Sequence, residues 1–230
     1  MFSVEEKFGI QITKIWENEN FKEFEIIKRG FAIQDTVLKS SIMFVGINPS
    51  YDKNKSATHR EFYNVEPEGK GYRYFNKFKE ISRHVNHNWT HFDLLYFRET
   101  NQKYINDLLK KPHGVEFITQ QLEISKKVIC EAKPKILIVS NTMARHFMGF
   151  ERKQTKNVWM DFDFEFDEKL GTHKIVNHPE LKDTLVFFTS MLTGQRALDN
   201  GSFARLRWHI NFILDHLGAF KMPNLNGDHS

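Results

Sequence analysis

Cysteine is nearly absent from this chain of 230 residues, which contains only Cys130. One cysteine excludes an internal disulfide framework, a cysteine-based zinc site and an iron–sulfur cluster held by cysteines alone. A reducing cytoplasm is therefore the expected location. Cys130 lies in the apolar repeat of a predicted helix, so we interpret it as a buried, inert thiol rather than a nucleophile.

Long apolar runs are absent as well, and none is long enough to predict a membrane span. The N-terminus, Met1 to Lys7, lacks the order of charged and apolar residues that marks a signal peptide. The sequence also lacks a glycine-rich phosphate loop and a serine nucleophile elbow. These absences argue against a membrane protein, a P-loop nucleotide hydrolase and a serine hydrolase.

The remaining composition is that of a globular domain. Hydrophobic residues make up 40% and charged residues 27% of the chain, and 22 phenylalanines predict a core dominated by phenylalanine. The length suits one domain with a full core. The net charge of +4 permits a polyanionic partner such as nucleic acid without requiring one.

Four apolar runs separated by helical segments predict an α/β fold, in which a parallel sheet is buried between helices. The runs cover residues 42–47, 92–97, 135–140 and 185–190. We therefore predict a three-layer α/β/α sandwich with a central parallel four-stranded sheet.

Additional segments complete this predicted domain of residues 1–221. N-terminal helices within 1–30 are expected to cover the sheet. Acidic and aromatic residues alternate strictly from 161 to 167, which predicts an edge β-hairpin insertion over about 158–177. The polar end, 222–230, has the composition of a flexible tail.

The first predicted strand ends at Gly46, and Asn48 and Pro49 follow it directly. In α/β proteins, ligands bind beyond the carboxyl ends of parallel strands. The Asn48 side chain is therefore expected where chemistry is usually performed. Asn-Pro is also a common turn after a strand, so a purely structural role for Asn48 stays open.

Residues 44–50, with the sequence Phe-Val-Gly-Ile-Asn-Pro-Ser, resemble the first motif of the uracil-DNA glycosylase superfamily. They are most similar to its mismatch-directed branch, which has Gly-Ile-Asn-Pro-Gly there. Later segments follow in a similar order. Residues 63–67 resemble the segment with the stacking aromatic residue, and 93–95 lie where the family has a base-reading asparagine. Residues 134–139 resemble its third strand, and 187–192 stand at its last motif.

This resemblance implies a monofunctional DNA base glycosylase, which hydrolyses the N-glycosidic bond of uracil or a related damaged base after the nucleotide leaves the duplex. Asn48 would position the attacking water and Ser190 would assist the leaving group. Tyr63 would stack on the base, and Asp93 would contact it. The implied substrate pocket also includes Gly46, Ile47, Ser50, Tyr51 and Phe62.

The resemblance also implies DNA contacts near the last helix. A side chain must fill the vacated stack, and Leu192, Gln195 and Arg196 are the candidates. Ser202, a plausible helix N-cap, could hold a phosphate. The sequence departs from the family at its last motif, which lacks histidine and proline, and at Asp93, which replaces asparagine and changes or inverts the hydrogen-bond code for uracil.

Two other functions stay open: a non-catalytic binder of nucleic acid or nucleotide on the same fold, and a different small-molecule enzyme. His84, His87 and His91 have loosely metal-like spacing, but no acidic or sulfur ligand is close in sequence, so we expect no metal site. The resemblance implies no cofactor. The acidic residues of 161–167 favour a solvated strand face. We expect a monomer.

Overall fold

The computed structural model describes residues 1–51, 61–65, 73–150, 159–194 and 197–219. Within these residues it contains ten strands, six α-helices and four short 3₁₀ helices. The 3₁₀ helices are Glu19–Phe21, Glu25–Arg29, Arg73–Phe75 and Pro179–Leu181. In chain order the other elements are β1 (Phe2–Ser3), α1 (Val4–Glu17), β2 (Ala32–Gln34), β3 (Thr36–Val37), β4 (Ile42–Gly46), β5 (Glu61–Tyr63), α2 (Asn76–His84), β6 (Trp89–Asp93), α3 (Lys103–Leu108), α4 (Gly114–Ala132), β7 (Ile136–Val139), α5 (Thr142–Met148), β8 (Phe164–Asp167), β9 (Thr172–Ile175), β10 (Leu185–Phe188) and α6 (Asn200–Ala219).

The central sheet is mostly parallel, with the strand order β6-β4-β7-β10-β9-β8. The four predicted apolar runs supply β6, β4, β7 and β10, which are neighbours and run parallel. The hairpin of β8 and β9 continues the same sheet through antiparallel pairing of β9 with β10. The α/β class is therefore confirmed, but the sheet has six strands, because β9 satisfies backbone groups that β10 would otherwise leave unpaired.

The strands of this sheet send alternate side chains toward two sets of helices. Met43 and Val45 of β4 belong to an apolar cluster that includes residues of α1, α4 and α5. Ile42 and Phe44 belong to a second cluster, which includes residues of α2 and α6. The ring of Phe44 stacks on that of Phe78 with centroids 4.3 Å apart. Burying each such ring stabilises the fold by roughly 1.5–3 kcal/mol.

Helix α1 starts on a network of hydrogen bonds with the segment before β4. Ser3 Oγ accepts from the N–H of Glu6 at 3.1 Å and donates to Asp35 Oδ1 at 2.7 Å. The N–H of Glu5 also donates to Asp35 Oδ1 at 2.9 Å. These bonds satisfy N–H groups that a helix start leaves without intrahelical partners. None of the helices in the described ranges is long and apolar enough to cross a membrane.

The boundaries of β6 and β8 differ from those predicted. Strand β6 covers Trp89–Asp93 instead of 92–97, because Trp89 pairs with Ile42 and the ladder with β4 ends at the Gly46–Asp93 pair. Asp93 therefore stands at the end of its strand. Strand β8 starts at Phe164, three residues after the start of the alternating pattern at 161, and Phe166 within it is 55% exposed.

Candidate active site

The carboxyl ends of β6, β4, β7 and β10 lie at one edge of the sheet, because these four strands are parallel. The chain leaves β4 for β6 on one side and later reaches β7 on the other side. Such a reversal of strand order marks the usual ligand crevice of open α/β sheets. Asn48, Asp93 and Ser190 follow or end strands at this edge. Strand β10 is two strand spacings, about 10 Å, from β4.

Gly46 and Asp93 are paired at the tips of β4 and β6, and the Asp93 carboxylate occupies the space beside Gly46. A β-carbon on Gly46 would lie 2.0 Å from Asp93 Oδ1 and 3.2 Å from His91 Nε2. A side chain at position 46 is therefore incompatible with this arrangement. Asp93 is only 9% exposed, so its carboxylate is largely enclosed.

His91 lies beneath this carboxylate, with its Nε2 3.5 Å from Asp93 Oδ1. It is 3% exposed, and neither ring nitrogen has a hydrogen-bond partner within the part of the chain described here. The rings of Tyr74, Phe75 and Phe78 surround the imidazole at centroid distances of 5.9, 5.3 and 5.7 Å. A buried imidazole with unsatisfied nitrogens is uncommon in folded proteins and marks this site as a candidate for function.

Burial and then the negative charge of Asp93 raise the pKa of the hydroxyl groups of both Tyr63 and Tyr74. Burial is the larger cause that raises the pKa of each hydroxyl, and the Asp93 carboxylate raises it further. The guanidinium of Arg98 acts in the opposite direction on the pKa of Tyr63 without cancelling these effects. Both hydroxyls are therefore protonated donors at neutral pH. Tyr74 is 39% exposed, so this desolvation concerns the hydroxyl end while part of the ring faces solvent.

The amide of Asn48 is oriented by backbone carbonyl groups. Its Nδ2 donates to the carbonyl oxygens of Glu99 at 2.6 Å and Pro49 at 2.9 Å, with a longer contact of 3.4 Å to that of Phe97. These bonds fix which way the amide faces. Its Oδ1 has no hydrogen bond to any other described residue, so it is the atom left to accept one from a ligand or water.

The loop after β6 supplies two of these carbonyls, those of Phe97 and Glu99. This loop is held in turn by Arg29, which comes from the 3₁₀ helix Glu25–Arg29. Arg29 Nη1 lies 2.7 Å from Glu99 Oε2, and the guanidinium covers the ring of Tyr51 at 4.5 Å. Partial burial alone would raise the pKa of Glu99. Bonds from the N–H of Asn101 and from Arg29 outweigh it, so this pKa lies below its usual value. Glu99 is therefore a fixed anion.

Ser190 is exposed just beyond β10, next to a cation that sequence reasoning missed. Arg145 of α5 donates from Nη2 to the carbonyl oxygen of Thr189 at 2.8 Å. At the tip of β7, Asn141 caps α5 by accepting from the N–H groups of Met143 and Ala144 at 2.9 and 3.2 Å. The edge thus carries a positive charge near β10 and a negative charge near β6.

Several predicted pocket residues do not converge on this site. Ile47 is buried in the apolar cluster on the opposite face, and Phe62 packs against Phe31 with ring centroids 5.2 Å apart. In a strand, neighbouring side chains point to opposite sides, so Phe62 and Tyr63 cannot share one pocket. Ser50 is exposed, and Tyr51 lies under Arg29.

Two predicted DNA contacts need correction, and two cannot be placed. Leu192 is 3% exposed inside the apolar cluster with α2 and α6, so it is not an exposed wedge. The cap of α6 is Asp199, whose Oδ1 accepts from the N–H of Ser202 at 2.9 Å. That N–H is therefore not free to bind a phosphate. Gln195 and Arg196 lie outside the described residues.

Shallow depressions elsewhere on the surface do not compete with this site. One of about 680 Å³ lies along the start of α4, and one of about 390 Å³ lies along α1. Both are lined by exposed and half-buried residues of mixed charge, and neither contains an enclosed polar group of the kind found at Asp93. Comparison with known proteins gives no independent identification, since no family profile and no curated protein matches the sequence.

Proposed function

We propose that this chain is a DNA base glycosylase, which hydrolyses the N-glycosidic bond of uracil or a related base. The proposed architecture is a three-layer sandwich of the uracil-DNA glycosylase type. One observation carries the proposal: the oriented amide of Asn48 and the enclosed carboxylate of Asp93 occur at neighbouring strand tips. The charge of this carboxylate also acts on the hydroxyl of Tyr63. An atom for water, a contact for a base and an aromatic ring thus come from three separate segments.

Asn48 is the proposed water-positioning residue. Hydrolysis needs a water held against C1′ of the sugar. Because the Asn48 Nδ2 group is hydrogen-bonded to backbone carbonyls, Oδ1 is available to accept a hydrogen bond from that water. A neutral amide orients water but contributes little to stabilising positive charge on the sugar. We therefore expect a slower reaction than a carboxylate in the same place would give.

Asp93 and Tyr63 are the proposed contacts to the base. An ionised carboxylate only accepts hydrogen bonds, so it suits a base edge that presents an N–H group, such as N3–H of uracil. The protonated hydroxyl of Tyr63 can donate to a carbonyl of the same base. Stacking of an aromatic ring on a base is worth about 1–3 kcal/mol. The pair therefore combines an acceptor, a donor and an apolar face.

The remaining requirement is a group that stabilises the negative charge on the departing base. The base leaves with negative charge, which Asp93 opposes, so a donor or cation is needed on the other side of the crevice. Ser190 and Arg145 are the candidates, since both lie by the tip of β10. The proposal also includes a DNA partner, a monomer and a cytoplasmic location, which suits a chain with one cysteine.

A non-catalytic binder of nucleic acid or nucleotide is the second candidate. The bonds from Asn48 to Phe97 and Glu99 in the loop after β6 favour it, because a protein without activity would need the same bonds to hold that loop. The exposed position of Ser190 also favours it, because a group that assists a leaving base works best in an enclosed site.

The test uses a uracil-containing oligonucleotide, excess protein and alkaline cleavage of any abasic site. We expect wild-type cleavage, and a single-turnover rate about 100-fold lower for Asn48→Ala, as for a misplaced reacting group. Asn141→Ser is the matched control: it changes an asparagine at the adjacent strand tip but keeps a capping oxygen. If no abasic site forms and DNA is bound with strong salt dependence, the binder is favoured.

A further inference from the structure

A cysteine, a histidine and a glutamate meet on the far side of the molecule from Asn48. Cys130 lies near the end of α4, whereas His178 and Glu180 lie at the 3₁₀ helix Pro179–Leu181. The sulfur, a ring nitrogen and a carboxylate oxygen are all within 4.8 Å of one another. These segments lead into the amino ends of β7 and β10. The cluster therefore lies at the opposite edge of the sheet from the candidate active site.

The sequence alone argues against a cysteine-based zinc site, but we propose that Cys130, His178 and Glu180 form a zinc-binding site in which the cysteine is one of three protein ligands. Thiolate, imidazole and carboxylate are the three side-chain ligand types of zinc. In a tetrahedral site, bond lengths of about 2.0–2.3 Å place neighbouring ligand atoms about 3.4–3.6 Å apart. His178 Nδ1 and Glu180 Oε1 are already 3.6 Å apart. Three protein ligands leave the fourth position to water.

The surroundings of the three side chains are partly enclosed. Cys130 and His178 are half-buried, and Glu180 is at the surface, so an ion can enter from the Glu180 side. The His178 ring packs against that of Phe162 with centroids 5.0 Å apart, which limits its rotation. The ammonium of Lys126 lies 5.6 Å from the centroid of the same Phe162 ring. Its charge opposes entry of a cation but also stabilises the thiolate.

Without metal, the thiol lies beside the Glu180 carboxylate, within 4.8 Å of it. Burial, and then this carboxylate, raise the pKa of Cys130 to about 12. The side chain of Cys130 is half-buried, whereas the sequence predicts a buried one. Binding of Zn²⁺ forms the S–Zn bond while the S–H bond breaks and its proton passes to solvent. The apparent affinity consequently rises with pH.

A bound ion would connect α4 to the segment between β9 and β10. Two hydrogen bonds already join these regions nearby: Thr184 Oγ1 donates to the carbonyl oxygen of Pro134 at 2.7 Å, and the N–H of Leu185 donates to that of Lys135 at 3.1 Å. The ion would add a third connection. This connection is independent of the chemistry proposed at Asn48.

The experiment titrates metal-free, full-length protein with Co²⁺ and then displaces it with Zn²⁺. We expect one equivalent of Co²⁺ to produce a thiolate-to-cobalt charge-transfer band that Zn²⁺ abolishes. Cys130→Ser should remove the band. His178→Asn and Glu180→Gln should each weaken Zn²⁺ binding at least tenfold, since loss of even an outer-shell partner costs about 10–100-fold.

His113→Asn is the matched control. His113 Nδ1 lies 3.1 Å from Glu116 Oε2, so it forms a histidine–glutamate pair with no cysteine in the cluster. This variant should bind both metals as the wild type does. The proposal is overturned if Co²⁺ gives no thiolate band, or if Cys130→Ser binds Zn²⁺ as tightly as the wild type. Circular dichroism of every variant checks that the fold is retained.

Discussion

Gly46→Ala should destabilise the protein, because position 46 has no room for a methyl group. The new carbon would lie 2.0 Å from Asp93 Oδ1, whereas real β-carbon contacts are essentially never shorter than 3.0 Å. The carboxylate must therefore move by about 1 Å, away from β4. It cannot move freely, because Asp93 is enclosed and His91 lies 3.5 Å away. Overpacking of this kind costs about 1–3 kcal/mol.

The assay is unfolding by urea, from which the free energy of unfolding is obtained for each variant. Gly9→Ala is the matched control. Its new carbon would meet only Glu5 and Phe62, at 3.5 and 3.8 Å, inside helix α1. Replacement of a helical glycine by alanine is expected to stabilise by about 0.5–1 kcal/mol. The two glycine variants should therefore change stability in opposite directions.

The identity of the clashing group is tested in an Asp93→Ala background. Without the carboxylate, Gly46→Ala should cost less than in the wild type, which would appear as a coupling energy between residues 46 and 93. An equal cost in both backgrounds would refute the reasoning, and so would a wild-type stability of Gly46→Ala. The same cycle also reports whether Asp93 is held in the position from which it is proposed to contact a base.

Two further substitutions test the helix cap and the buried hydroxyl. Asp199→Ala should lower the free energy of unfolding measured with urea, and Ser202→Ala should lower it by less; the reverse ranking would restore Ser202 as the cap. Burial raises the pKa of Tyr96 above its usual 10.0, so above about pH 10 only the unfolded chain loses this proton and stability falls as pH rises. Tyr96→Phe should reduce this dependence of stability on pH by about 1.4 kcal/mol per pH unit. An unchanged slope would contradict the raised pKa of Tyr96. The slope is compared because at neutral pH the variant also loses the hydrogen bond to Ser125.

Most of the parallel part of the sheet could be predicted because β4, β7 and β10 lie in apolar runs with turn-forming or polar ends. The start of β6 could not, since His91 is a polar residue at a fully buried position and only the pairing with β4 explains it. The hairpin was found from its alternating pattern, but its attachment to β10 depends on which edge is open. That property belongs to the assembled sheet.

The candidate site was predictable where a motif follows a strand. Asn48 and Asp93 are found that way, because strand ends of a parallel sheet meet at one edge. His91 and Arg145 were missed, since their roles depend on side-chain direction. The spacing of His84, His87 and His91 suggests that the three side chains form one cluster. In the structure His87 Nε2 contacts the carbonyl oxygen of Ser40, and His91 faces Asp93 instead. Residues 130 and 178 are too far apart in sequence for any spacing rule to join them.

The ion pair between Arg29 and Glu99 affects how the amide of Asn48 is oriented. The carboxylate of Glu99 pairs with Arg29, and its carbonyl oxygen accepts a hydrogen bond from Asn48. A single residue therefore links the N-terminal segment to the end of β4. Displacing the 3₁₀ helix Glu25–Arg29 would move the Glu99 carbonyl group and change the orientation of the Asn48 amide. The N-terminal segment therefore contributes to the orientation of the Asn48 amide through one ion pair and one carbonyl group.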